Sequence, residues 1–308
     1  MITLVPYRPE LSPDLLAVWH AAFSERYPIM PALWEAITLG DPSFRLEDAV
    51  VALADCKPVG FAIGKRFREE FPGCERFLPV GYVTLMAVHP DYQRRGIGSR
   101  LLAVVENRLR EDGVPQIVLG GSFHHVMPGI PVPLDAPDTD EPATAFFQSH
   151  GYTLGKEVWD VRRNLLAPPE LPSVAPLRPG FDLRSTRPEE TPRMLQFLTQ
   201  DFPGRWARDV AHHLAEGGPP EHVFGLFVES TPLGFALLSP PGTQGALRWA
   251  GFAPEMAALG PIGVSAALRG RGMGLALLVR ALKLKGDGAA EFSDISADAW
   301  FAEAVGAA

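Results

Sequence analysis

The sequence predicts an α/β (α+β) protein built from two tandem domains, and three observations carry that expectation. The segment Gln93-Arg94-Arg95-Gly96-Ile97-Gly98 recurs as Arg269-Gly270-Arg271-Gly272-Met273-Gly274, and each copy follows an apolar, strand-like run and opens a helix. Two more anchors repeat in the same order at nearly the same spacing. Arg8-Pro9-Glu10-Leu11-Ser12-Pro13 is matched by Arg187-Pro188-Glu189-Glu190-Thr191-Pro192, and Pro58-Val59-Gly60-Phe61-Ala62 by Pro232-Leu233-Gly234-Phe235-Ala236. The length, 308 residues, is that of about two domains, each able to bury its own core. Anchors in register over such a span indicate duplication of a whole domain, not a short solenoid unit. The expected boundaries are 1–166 for the first domain, a proline-rich linker at 167–176, and 177–308 for the second.

The first half reads in order from its amino end. Ile2 to Val5 is a short strand, and Ser12-Pro13 supplies an N-cap and a proline at the first helical position. Ala49–Ala54 and Val59–Ile63 are strands of a hairpin around Asp55-Cys56-Lys57-Pro58. Tyr82–Val88 feeds the first glycine turn. Beyond Gly98, the residues Leu101, Leu102, Val104, Val105 and Leu109 share a helical face, Glu106 and Arg110 are spaced for an i,i+4 pair, and Gly113 ends the helix. Ile117–Leu119 is a further strand, and Glu157–Leu165 is read as the last strand of the first domain. The second half repeats the scheme: a helix after Thr191-Pro192, the hairpin strands Val223–Val228 and Leu233–Leu238, a strand at Gly260–Val264 and a helix over Leu275–Leu284. It ends directly after its late helix, so its sheet is expected to lack a closing strand or to borrow one. The proline-rich stretch from Met127 to Pro142 is a long loop of the kind that shapes binding sites.

Composition narrows the function. A formal charge of −8 speaks against nucleic-acid binding and suits a cationic substrate. Cys56 and Cys74 make neither a metal-ligand pattern nor a disulfide framework, so no metal is expected. The amino end has no basic segment followed by a long apolar core, and no apolar run approaches membrane-spanning length. The expectation is a cytoplasmic monomer or homodimer with no membrane partner.

A glycine turn at a helix start is a candidate phosphate cradle, because unpaired N–H groups and the helix dipole attract an anion that glycine lets approach. Neither turn carries the Lys-Ser/Thr pair of a Walker A loop. Gly96-Ile97-Gly98 and Gly272-Met273-Gly274 both lack the third glycine of a dinucleotide fingerprint. What remains is [Q/R]-x-x-G-x-[G/A] between a strand and an amphipathic helix. This resembles the acetyl-CoA motif of the GCN5-related N-acetyltransferases (GNAT). The approach Val88-His89-Pro90-Asp91-Tyr92 is also similar to that family, as is the late helix Ala145-Phe146-Phe147-Gln148-Ser149-His150-Gly151-Tyr152. The resemblance spans both halves. It implies two GNAT-like domains, each a mixed, mostly antiparallel sheet flanked by helices, with acetyl-CoA as cosubstrate.

On that resemblance, backbone amides around Gln93, Arg94, Arg95, Gly96, Ile97, Gly98 and Ser99 hold a pyrophosphate, and so do Arg269, Gly270, Arg271, Gly272, Met273 and Gly274 in the second half. The strand before each turn, with Met86 and Val88 in one and Val264 in the other, receives the pantetheine arm and polarises the thioester. The family places an acid tyrosine in the late helix, but here the positions read Phe146-Phe147 and Trp300-Phe301. Candidates for the missing acid–base work are His124 and His125, which follow the strand where the acceptor site of this fold opens, and Tyr82 on the feeding strand. The expected reaction is acetyl transfer to a small-molecule amine acceptor; a non-catalytic acyl-CoA-binding or scaffolding protein is the other reading.

Overall fold

The computed structural model describes residues 1–23, 26–120, 129–130, 141–155, 160–164, 173–174, 177, 179–286 and 294–298. The chain divides into two compact units. One comprises Met1–Glu70 with Arg76–Glu157, and the other Phe71–Glu75 with Val158–Ala308.

In the first unit the order is β1 (Ile2–Pro6), α1 (Ser12–Phe23), α2 (Pro31–Ile37), β2 (Ala49–Ala54), β3 (Lys57–Arg66), β4 (Val80–Val88), α3 (Ile97–Glu111), β5 (Gln116–Leu119) and α4 (Glu141–Ser149). The sheet runs β1-β2-β3-β4-β5. Among the described residues only β4–β5 is parallel; the other pairs are antiparallel, which is the mixed sheet expected. One face is covered by α3, whose Ile97, Leu101, Leu102, Val105 and Leu109 are buried against Val50, Ala52, Ala62 and Val83. Burial of each such side chain stabilises the docking by roughly 1.5–3 kcal/mol. Glu106 and Arg110 form their pair at 3.0 Å. The other face lies under α1 and α2, where Trp19 and Trp34 pack on Phe61 of β3.

Two local expectations change. Ser12 is not an N-cap: a 3-10 turn at Pro9–Leu11 already starts the helix, Ser12 is helical, and its hydroxyl pairs with Tyr7 Oη at 2.7 Å. The device repeats at Pro188–Glu190 before the second unit's first helix. The β2–β3 turn is also shorter than expected. Asp55 and Cys56 take φ of 48° and 66°, the left-handed values of a two-residue hairpin turn. Lys57 and Pro58 therefore join β3, and Pro58 lies beside a register shift where a missing N–H costs the ladder little.

The second unit contains β6 (Asp160–Asn164), β7 (Phe181–Ser185), α5 (Thr191–Asp201), α6 (Arg205–Ala215), β8 (Val223–Val228), β9 (Thr231–Ser239), β10 (Met256–Val264), α7 (Met273–Gly286) and β11 (Asp294–Asp298). Its sheet runs β6-β11-β10-β9-β8-β7. Leu277 and Ala281 of α7 pack on one face, against Leu226, Ala236 and Leu259. Met194, Leu198 and Val210 of α5 and α6 pack on the other, against Phe227 and Phe235.

The strand Asp160–Asn164 corrects the sequence reading. It was expected to close the first sheet, yet it pairs antiparallel with β11 from Asp160↔Asp298 to Asn164↔Asp294. The second sheet thus does not lack its closing strand but takes one from residues that the sequence reading gave to the first domain, the borrowing it allowed for. Without β6, β11 would present a row of unpaired N–H and C=O groups. The short segment Phe71–Glu75, assigned by sequence to the first domain, also belongs with the second unit, where Phe71 packs on the α5–α6 cluster.

Candidate active site

The first glycine turn is built by hydrogen bonds around β4. His89 N donates to Val59 O at 2.9 Å and anchors the strand's end to β3. Gln93 N donates to Pro90 O at 3.2 Å, and the Gln93 side chain reaches back to Val88 O at 3.0 Å. Arg94 then adopts φ 60° and Gly96 φ 72°, two left-handed residues flanking Arg95. Arg95 lies over the Tyr92 ring and donates to Asp91 O at 2.7 Å. No side chain caps α3 at Gly96, so its first amides face outward. A Cβ added at Gly96 would meet nothing within 4 Å, whereas one at Gly98 would meet Met86 Cε and the Phe146 ring at 3.3 Å. The result is an open concavity of backbone donors, suited to an anion.

The second turn reproduces the backbone bonds and the bond to the strand's last carbonyl. Ser265 N donates to Leu233 O at 2.8 Å, Arg269 N to Ala266 O at 3.3 Å, and Arg269 Nε to Val264 O at 3.5 Å. Gly270 and Gly272 take φ of 69° and 74°, and Ala276 N donates to Gly272 O just as Arg100 N does to Gly96 O. Gly272 and Gly274 are equally open. Arg271 lies between the two left-handed glycines, where Arg95 lies in the first turn, and Met273 opens α7 as Ile97 opens α3.

Each turn is fed by a strand that runs on past its last pair with its neighbour among the described residues, leaving that side of the strand open. Among those residues β4 pairs with β5 from Val80↔Gln116 to Val83↔Leu119, and β10 with β11 from Met256↔Asp294 to Ala258↔Ser296. Both strands bulge where those pairs end. The register against β3 shifts between Ile63↔Leu85 and Gly64↔Val83, and that against β9 between Leu259 and Ile262. Opposed residues alternate between bonded and non-bonded pairs. The His89–Val59 bond therefore turns the backbone groups of Met86 and Val88 away from β3, into the opening. The Ser265–Leu233 bond does the same for Ile262 and Val264.

The late helix packs beside the cradle. Phe146 and Phe147 lie against the α3 core, and Phe147 against Tyr152. Tyr152 donates to Glu106 at 2.8 Å, and burial together with that bond pushes its hydroxyl well above the usual tyrosine range. His150, which the sequence reading left without a role, bonds the Phe146 carbonyl through Nδ1 at 2.8 Å and Ser99 Oγ through Nε2 at 3.0 Å.

The sequence candidates separate on this frame. Gln93 to Ser99, Met86 and Val88 come together, as do Val264 and Arg269 to Gly274. Tyr82 is 4% exposed and lies in the paired part of β4, opposite Lys65 and Val118, rather than in the opening. His124, His125, Trp300 and Phe301 lie outside the described residues. His89 accepts from Asp91 N at 3.3 Å as part of the turn itself. Among the described residues no group of three His, Cys, Asp or Glu could hold a metal ion.

Comparison with known proteins decides the family. The family model described as Acetyltransferase (GNAT) domain matches residues 45–154, and that described as Acetyltransferase (GNAT) family matches residues 191–297. The chain belongs to the GNAT family, in tandem. As a GNAT protein it has the fold of acetyl-CoA-dependent acetyltransferases. Solved structures agree. The GCN5-related glucosamine N-acetyltransferase region of a fungal multi-domain GH3 β-N-acetylglucosaminidase is 22% identical with a TM-score of 0.77, covering 96% of this chain and 35% of that one. A tandem GNAT protein of the clavulanic acid biosynthesis pathway is 16% identical with a TM-score of 0.68, covering 100% and 94%. A GCN5-related N-acetyltransferase from Sphaerobacter thermophilus is 17% identical with a TM-score of 0.63, covering 96% and 86%. At such identities the likeness is one of fold. A stretch of 46 residues is 50% identical to tRNA(Met) cytidine acetyltransferase TmcA of Aeropyrum pernix, but it spans 15% of this chain and 6% of that protein.

Proposed function

We propose that this tandem GNAT protein transfers the acetyl group of acetyl-CoA to the amine of a small acceptor, with the chemistry in the first domain. The observation that carries the reading is the junction of an open glycine cradle with a parted, bulged strand. Acetyl-CoA, when bound, supplies an activated thioester. The amides from Arg94 to Ser99 hold its pyrophosphate, and the freed backbone groups of Met86 with the N–H of Val88 take the arm that leads to the sulfur. Arg94 and Arg95 neutralise phosphate charge, Arg95 by exchanging its bond to the Asp91 carbonyl. The Met86 N–H, fixed and turned into the opening, stabilises negative charge that develops on the carbonyl oxygen. A nitrogen–carbon bond forms as the carbon–sulfur bond breaks, and one amine proton ends on the CoA sulfur. A thiol's ordinary pKa near 8.5 makes the thiolate a fair leaving group, so Phe147 in place of a tyrosine is tolerable. His124 and His125 are the proposed route for the proton of the acceptor ammonium. Arg269, Arg271 and Val264 would play the binding roles in the second domain.

A screen for CoA release from acetyl-CoA across amine classes tests this reading. Release with at least one amine, and CoA binding by calorimetry, are expected; no binding at millimolar CoA overturns it. Phe147, packed into the core beside Tyr152, favours one other reading, an acyl-CoA-binding protein without catalysis. CoA binding with no release for any amine would support that.

A further inference from the structure

Thr84 stands at the apex of the opening in the first domain. Val83 makes the last β4–β5 pair and accepts from Gly120 N at 2.8 Å; Thr84 is the next residue and the extra one in the bulge. Its side chain is 5% exposed, and Oγ1 makes no hydrogen bond to any described residue. A buried hydroxyl without a partner is expensive, and in a folded protein it calls for a reason.

The direction of the hydroxyl narrows what it serves. Val83, Met86 and Val88 belong to the α3 face of the sheet. Strand alternation then puts Thr84 on the opposite face, under α1 and α2, and the bulge leaves Leu85 there with it. The cradle and α4 occupy the α3 side, where Phe146 closes on Gly98. With the cradle and α4 on the α3 side, the face that Thr84 shares is the one left for a nucleophile aimed at a thioester lying along Met86. On that same face Trp34 of α2, packed on Phe61, also leaves a buried ring nitrogen without a partner.

We propose that Thr84 is a catalytic residue that touches the acceptor: its hydroxyl accepts an N–H of the reacting amine and aims the nitrogen lone pair at the thioester carbon. The inference rests on the transferase reading above. It gives that reading an acceptor-side contact that no glycine motif or late-helix residue supplies.

Thr84→Val keeps the side-chain shape and removes only the hydroxyl, and Thr84→Ser restores it. With methylamine as the probe nucleophile, Thr84→Val is expected to lower kcat for CoA release about tenfold, the worth of one hydrogen bond of about 1.4 kcal/mol, with the CoA Kd unchanged. Thr84→Ser should recover most of that rate. Thermal unfolding supplies the readout that a structural role would move the other way. Removing an unpartnered hydroxyl should leave Tm of Thr84→Val equal to or above that of the native protein, whereas a hydroxyl that props the bulge would lower it. A lowered Tm, or equal rates for the native and Val proteins, overturns the role of Thr84 and leaves the transferase reading standing. CoA binding without amine-dependent release by the native protein overturns both.

Discussion

Gly96 and Gly272 show how much a single position controls. Each holds a left-handed φ, and each leaves the space above its Cα clear of protein atoms. Gly96→Glu should lower CoA affinity of the first domain at least about tenfold, through a carboxylate placed where phosphate charge belongs. Gly96→Ala costs only the left-handed strain, about 1 kcal/mol, and should keep most of the binding; calorimetry on both separates charge from strain. A second residue-level case is Lys65, 1% exposed and joined to Asp41 at 2%. Breaking such a pair leaves a buried charge, so Asp41→Asn should cost about 3–5 kcal/mol in urea unfolding, and Lys65→Met with Asp41→Asn less than the two single changes together. Burial pushes the Lys65 ammonium below its usual value near 10.5, with Asp41 opposing. The unfolded chain therefore binds the proton more tightly. Between the lowered value and about 10.5, stability should rise with pH in the native protein and lose that slope in Lys65→Met.

Among the elements, the junction of β7 with α5 depends on one carboxylate. Arg184 donates to both oxygens of Glu190, at 2.6 and 2.7 Å, and lies over Phe227, while Arg187 N adds a third bond at 3.1 Å. The Arg184 bond holds the Glu190 carboxyl below the usual carboxylate range and raises the guanidinium's own value. Glu190→Gln should lower stability by about 1.5–3 kcal/mol near neutrality, the range for bonds to a charged group. The stabilisation is complete above the ordinary glutamate value and is lost as pH falls through the lowered one. Native and variant urea midpoints should thus converge as pH falls from the ordinary glutamate value through the lowered one, and a gap that does not narrow in acid would contradict the account.

For the whole molecule, the two units make separate predictions. Two cradles with matching bonds should bind two CoA per chain, falling to one in Gly96→Glu or Gly272→Glu and to none in the double variant. Calorimetric stoichiometry checks this. The placement of β6 predicts that a fragment spanning 158–308 stays soluble longer than one spanning 177–308, which leaves β11 as a bare edge. Sedimentation of the two fragments decides it.

The sequence by itself determined most of the local plan. Alternating and helical apolar spacing marked β2, β3, β4, α3 and their counterparts, and the duplicated glycines around Gly96 and Gly272 marked both strand-to-helix turns, because these signals are carried by residues adjacent in the chain. It did not find Thr84, His150 as a partner of Ser99, or the affiliation of β6. The bulge at Thr84 exists only as a mismatch of register between β3 and β4, and the His150–Ser99 bond joins residues on two helices. Nothing in Asp160–Asn164 states which of two sheets it will join. The tertiary structure decides that, because an unpaired strand edge is satisfied by whichever strand the fold brings beside it, and here the fold brings β6 beside β11.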